Sequence, residues 1–134
     1  MRTRGIIFPA ASLLLSLLRS TPSLAASFAP VALTPPLNWM ADSSLFPGNI
    51  IAGYNANLTE YDAASWGARV LAACASFTAC TSALAFQATN SGSTGGRFWF
   101  GYAFRGGPTD ESFYERDDDP YGGVTESAAW TIVL

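Results

Sequence analysis

The chain has 134 residues, of which 49% are hydrophobic and 13% charged, and its formal net charge is −3 at pH 7. It contains no lysine and no histidine, so the usual proton shuttle, the usual serine-protease base and the Schiff-base nucleophile are all missing. An acidic, lysine-free surface repels phosphate groups, which argues against nucleic acids and anionic membranes as partners. Zinc would need ligands that this chain lacks, and we expect no metal and no cofactor.

The first 25 residues have the pattern of a secretory signal peptide. Arg2 and Arg4 precede an apolar run over residues 6–18, and residues 23–25 (Ser-Leu-Ala) offer small side chains at the cleavage positions. The run is too short for a transmembrane helix, which needs about 20 residues. We therefore predict that residues 1–25 are removed, that the protein is secreted and extracellular, and that the mature chain has no membrane span. Its net charge would be −6.

The mature chain is predicted to begin with an extended arm. Residues 26–47 contain four prolines and few charges, a composition that disfavours regular structure. Trp39 is too apolar to remain in water, so we expect the second half of the arm to dock on the rest of the protein. Residues 48–134 are then a single domain, of a size that supports one modest core.

A helix is predicted from Trp66 onward, with Asp62 or Ser65 as its N-cap. The apolar residues on one helical face are Trp66, Val70, Ala73, Cys74 and Phe77.

The only two cysteines, Cys74 and Cys80, limit where this helix ends. Within one helix their Cα atoms would be about 9 Å apart, beyond the reach of about 7 Å of a disulfide. Cysteines of an exported chain most often pair, so we predict a Cys74–Cys80 bridge and a helix that ends between them.

Strands are predicted before and after the helix in the sequence, where the pattern changes to a two-residue repeat. Residues 48–54 form the first predicted strand, and the second contains Leu84 and Phe86. The strongest is residues 97–105, and residues 126–134 form the last, with Trp130 in the core. On the 97–105 strand, one face is expected to join the helix in the core: Phe98, Phe100, Tyr102 and Phe104. The predicted fold is α+β, with one α-helix packed on a small antiparallel β-sheet.

The remaining residues of the 97–105 strand suggest a binding surface. Trp99 falls on the face opposite the predicted core, between Arg97 and Arg105, and Tyr114 and Tyr121 lie in the adjacent loop. Such a set could form a platform for sugar rings or for a protein partner. The alternative is that the N-terminal arm, with Trp39, covers Trp99.

The loop over residues 106–123 carries six of the ten carboxylates. Asp110, Glu111 and Glu115 are the clustered candidates for a carboxylate pair of the glycosidase type. Asp117, Asp118 and Asp119 suggest calcium, but the EF-hand spacing is absent, so we interpret them as a solvated turn. We expect the protein not to be an enzyme.

Residues 57–59 (Asn-Leu-Thr) form an N-glycosylation sequon between the first strand and the helix. In an exported eukaryotic chain this pattern predicts a glycan on Asn57. The alternative is a polar turn that matches by chance.

Val70, Cys74 and Cys80, with their spacing and the following Ala85-Phe86, resemble the middle of a PAN/apple domain. The tail, with residues 98–104 (FWFGYAF) and 124–132 (VTESAAWTI), is similar to divergent PAN-like small secreted proteins of fungi. The resemblance covers about residues 48–134, although Val70 stands where the family usually has its first cysteine. It implies a joined Cys74–Cys80 pair and a binding role toward proteins or carbohydrates.

Three functions remain open from the sequence. The first is a secreted, non-enzymatic binding module of an effector or cell-surface kind, with a glycan or a protein as its ligand. The second is a structural, self-associating cell-wall protein. The third is a glycosidase that uses the 110–119 loop.

Overall fold

The computed structural model describes residues 26–90, 95–119 and 123–134. The predicted signal peptide and Tyr121 lie outside these ranges. The described residues form seven strands, one α-helix and two short 3-10 helices. The elements are β1 (Ser27–Pro30), β2 (Trp39–Ala41), β3 (Ile50–Asn57), a 3-10 helix (Leu58–Glu60), α1 (Ala63–Ala75), β4 (Ser82–Thr89), β5 (Arg97–Phe104), a 3-10 helix (Glu111–Phe113), β6 (Tyr114–Arg116) and β7 (Thr125–Val133).

Five strands form an antiparallel sheet in the order β1-β7-β4-β5-β3, and β2 and β6 form a separate antiparallel ribbon. Helix α1 packs on one face of the sheet, mainly against β4 and β5. The α+β prediction, one helix on an antiparallel sheet, is confirmed. In the described part of the chain, no helix has both the length and the hydrophobicity needed to cross a membrane.

Helix α1 begins and ends where the local sequence predicts. Asp62 is the N-cap, and its Oδ1 accepts a hydrogen bond from the Ser65 amide at 2.7 Å. The helix ends at Ala75, between the cysteines, and Cys74 and Cys80 form a disulfide with their Cα atoms 5.4 Å apart. Phe77 lies beyond the helix and is 39% exposed, so its predicted place in the buried stripe is wrong.

The cap of α1 gives a pH-dependent prediction. Hydrogen bonds from Ser65 lower the pKa of the Asp62 carboxyl, so the ionised carboxylate stabilises the folded state. Asp62→Ala should therefore lower the melting temperature at neutral pH. The difference from wild type should shrink as the pH falls through the lowered pKa, because protonation removes the same interaction. Thermal denaturation at neutral and strongly acidic pH measures this, and Asp62→Asn is the uncharged capping control. A pH-independent difference would contradict it.

The helix packs on the face of β5 opposite to the predicted one. The buried cluster under α1 contains Trp99 and Ala103 of β5, together with Trp66, Val70, Cys74, Cys80, Ala83 and Ala85. The small side chains of β4 and β5 explain this choice, because they let the helix approach closely. At Gly101, an ideal Cβ would lie 2.4 Å from Val70 Cγ2, which no real Cβ tolerates.

The aromatic face of β5 forms a second buried layer on the far side of the sheet. Its cluster comprises Leu45, Leu84, Phe86, Ala88, Phe104, Tyr114, Val124 and Ala129. Phe104 is fully buried there, whereas Phe98, Phe100 and Tyr102 are half-buried. The prediction that all four pack in the core beneath the helix is wrong. Trp130 packs against the helix-side cluster, as a half-buried residue.

The N-terminal residues cover this second face and are part of the sheet system. β1 pairs with β7, and β2 pairs with β6 through Trp39 opposite Arg116. Leu45 is 2% exposed in the cluster. The described residues on both sides of residue 48 therefore contribute to the same sheet and to the same buried cluster.

Candidate functional site

The structure does not show an exposed platform around Trp99. Trp99 is only 3% exposed, and its Nε1 donates a hydrogen bond to the Tyr61 carbonyl at 3.1 Å. The residues that cover it belong to the helix side of the molecule, including Trp66 and Val70. The alternative, burial of Trp99 beneath Trp39, is also wrong, because Trp39 packs against the cluster on the other face of the sheet.

The other residues predicted for the platform are dispersed. The Arg97 guanidinium donates to Gln87, Thr89, Thr125 and the Gly123 carbonyl, so it joins β5 to β4 and to the start of β7. Arg105 is exposed beyond the end of β5.

Tyr114 is 5% exposed and belongs to the cluster opposite Trp99. Its hydroxyl lies 3.0 Å from Thr109 Oγ1, and burial raises its pKa. The four platform residues that the structure describes thus do not form one site.

Within residues 106–119, the described part of the acidic loop, the chain forms a 3-10 helix and strand β6. Hydrogen bonds from Ser112 lower the pKa of Asp110, and those from Thr34 lower the pKa of Glu111. A glycosidase general acid needs a raised pKa, so neither carboxyl has the property that this role requires.

Asp117 also has a structural contact. Its Oδ2 accepts from the Val124 amide at 2.8 Å, and its Oδ1 accepts from the Asp119 amide at 3.1 Å. Among the described residues, no group of three or more His, Cys, Asp or Glu side chains is placed to hold a metal ion.

The best-formed candidate site is a cleft of about 380 Å³ on the sheet face opposite the helix. We call it the aromatic cleft. Its floor is made by strands β4 and β5, and its walls include Met40 of β2 and residues 117, 119 and 124, which lie between β6 and β7 in the sequence. The lining residues are Met40, Phe86, Ala88, Thr89, Asn90, Phe100, Tyr102, Asp117, Asp119 and Val124.

Three rings of the cleft floor form a row. The Phe86 and Phe100 rings are 5.8 Å apart with an interplanar angle of 29°, and Phe86 and Tyr102 are 6.2 Å apart at 31°. They lie together because Phe86 is directly opposite Phe100 in the β4–β5 pairing and Tyr102 is one pleat along. Phe46, 43% exposed, packs edge-on against Tyr102 and extends the apolar surface outward.

A small apolar hollow continues the cleft past Tyr102. It holds about 90 Å³ and shares Met40, Phe86 and Tyr102 with the larger cleft. Burial raises the pKa of Tyr102, so its hydroxyl stays protonated at neutral pH and is able to donate as well as accept hydrogen bonds. The cleft therefore combines an apolar floor with polar groups at its rim.

A larger depression, of about 550 Å³, lies between β1 and the 3-10 helix Glu111–Phe113. Pro30, Val31 and Thr131 are among its lining residues, and no aromatic ring is. It offers less for a ligand than the aromatic cleft does.

Sequence reasoning placed the cleft's aromatic residues in the core and so missed the site. One signal was available: residues 83, 85, 101 and 103 are all Ala or Gly, which marks the face that a helix approaches closely. The opposite, aromatic face was therefore the one left partly open.

No family model, no curated protein and no solved structure matches this chain. The candidate site thus depends on the geometry alone.

Proposed function

We propose that the protein is a small, secreted, non-enzymatic binding module whose ligand is a carbohydrate chain held in the aromatic cleft. The row of Phe86, Phe100 and Tyr102 carries the proposal. Sugar rings present an apolar C–H face and a rim of hydroxyls, and this cleft pairs an apolar aromatic floor with polar groups at its edge.

The rim supports a carbohydrate more than an apolar ligand. Asn90 and the carboxylates of Asp117 and Asp119 line it, and amide and carboxylate oxygens accept hydrogen bonds from sugar hydroxyls. The volume of about 380 Å³ lies at the small end of the usual range for ligand sites, about 300–1,000 Å³. A cleft of this size fits one or two sugar units of a longer chain.

Two features support binding without catalysis. The pKa values of Asp110 and Glu111 are lowered, which opposes a general-acid role. Both oxygens of Asp117, a carboxylate at the cleft rim, accept backbone hydrogen bonds, from the Asp119 and Val124 amides.

The test is a glycan array followed by calorimetric titration of the glycans that bind. Phe100→Ala should weaken binding by about tenfold, equivalent to about 1.4 kcal/mol, because it removes one ring of the row. Tyr102→Phe should weaken it less, since the ring stays and only the hydroxyl is lost. Phe77→Ala is the control, because Phe77 is an exposed phenylalanine near the end of α1 and outside the cleft.

Glycan binding that Phe100→Ala leaves unchanged would contradict the assignment of the cleft. An array without any bound glycan would contradict the proposed ligand class.

A further inference from the structure

The sequon at residues 57–59 ends beside the aromatic face of the sheet. Asn57 is the last residue of β3, and its register partner on β5 is Phe98. Register partners of an antiparallel pair project to the same side, with Cβ atoms about 4.5–5.5 Å apart. A group attached to Asn57 therefore begins next to the Phe98 ring.

Phe98 is unusual among the aromatic residues of this face. It is half-buried, and within the described part of the chain it packs against neither buried cluster. On its other side, its partner on β4 is Ala88, whose side chain is too small to cover a phenyl ring. The ring thus lies between a small side chain and the asparagine of the sequon.

The sequon itself is accessible. Asn57 and Thr59 are exposed, and β3 is an outermost strand of the five-stranded sheet. Leu58 packs against the helix-side cluster, and the Asn57 amide donates to Glu60 Oε1 at 2.9 Å. These contacts fix the backbone at Asn57, whose exposed side chain leaves room for a bulky substituent.

We infer that Asn57 carries an N-linked glycan whose first sugar ring packs on Phe98. In the covalent step, Asn57 Nδ2 attacks the anomeric carbon of a lipid diphosphate-linked oligosaccharide. The Nδ2–carbon bond forms as the carbon–oxygen bond to the diphosphate breaks, the lipid diphosphate leaves, and one amide proton is released. The folded protein then places the apolar face of the sugar against the phenyl ring.

Like the proposed function, this inference requires that the chain is exported. Its site, Asn57 and Phe98, is separate from the aromatic cleft. A failure of Phe100→Ala to reduce glycan-array binding would leave it intact. Loss of glycan-dependent stability in Phe98→Ala would, in turn, say nothing about the cleft ligand.

The experiment expresses the full chain in a eukaryotic secretory host and measures its intact mass. The glycosylated chain is treated with an endoglycosidase that leaves the first N-acetylglucosamine on Asn57, and it is compared with a Thr59→Ala chain, which keeps Asn57 but lacks the sequon. The singly glycosylated form should melt about 2–5 °C above the form without a glycan, as expected for one modest contact in a domain of this size.

Phe98→Ala should abolish this difference in melting temperature, and Phe98→Leu, which keeps the apolar bulk without the ring, should reduce it. Phe77→Ala is the control and should leave the difference unchanged. A chain that is not exported, an exported chain without glycosidase-sensitive mass, or an equal difference in wild type and the Phe98 variants would each overturn the inference.

Discussion

Trp99→Ala is expected to lower the free energy of unfolding by about 3–5 kcal/mol, the usual cost of truncating a buried tryptophan or phenylalanine. Trp99 is 3% exposed beneath helix α1, and its indole N–H donates to the Tyr61 carbonyl. The substitution leaves a cavity between the helix and the sheet and an unpaired carbonyl. Chemical denaturation monitored by circular dichroism measures the loss.

The comparison with Phe100→Ala makes this prediction specific. Phe100 is the next residue of β5 and lies half-buried on the other face, so its truncation should cost clearly less stability while it reduces ligand binding. Trp99→Phe should recover part of the lost stability by refilling the cavity. A Trp99→Ala protein as stable as Phe100→Ala would contradict the burial of Trp99 beneath α1.

Local signals in the sequence identified the helix and its limits. Asp62 precedes an apolar stripe with helical spacing, and the distance limit on Cys74 and Cys80 requires the helix to stop between them. Both features depend on residues close together in the chain, and the structure confirms both. The strands β3, β4, β5 and β7 were also predictable, because each has eight or nine residues and a composition typical of strands.

The assignment of faces failed because both faces of the sheet are covered. On β5, hydrophobicity alone ranks the face of Phe98 and Phe100 above the face of Gly101 and Ala103. The helix nevertheless packs on the face of Gly101 and Ala103, because small side chains let it approach the sheet closely. The N-terminal residues and the β2–β6 ribbon cover the second face.

The short strands and the aromatic cleft could not be predicted from local sequence patterns. β1, β2 and β6 have three or four residues each, too few for a two-residue repeat to be recognised. β1 pairs with β7, at the opposite end of the chain, so no local pattern indicates the pairing. The aromatic cleft combines Met40, the strands β4 and β5, and residues after β6, which only the tertiary fold brings together.

Gly101→Ala is expected to destabilise the protein by about 1–3 kcal/mol, because it overpacks a close contact between helix and sheet. The new Cβ would lie 2.4 Å from Val70 Cγ2 and 3.1 Å from Val70 Cγ1. Val70 is fully buried and β-branched, so it has little freedom to rotate away, and the helix must shift. The entropic gain from replacing glycine in the unfolded chain, about 0.4–1 kcal/mol, offsets only part of this cost.

Gly53→Ala is the matched control, since it is the same substitution on the edge strand β3. Its Cβ would contact the half-buried Tyr102 ring at 3.2 Å, a milder contact than the one at Gly101. The decisive variant is Gly101→Ala combined with Val70→Ala, which removes both methyl groups that the new Cβ meets. Because the clash disappears in the pair, its loss of stability should be smaller than the sum of the two single losses by about 1 kcal/mol or more. Strict additivity, or equal losses in Gly101→Ala and Gly53→Ala, would show that α1 does not approach the sheet as closely as the contact between Val70 and Gly101 requires.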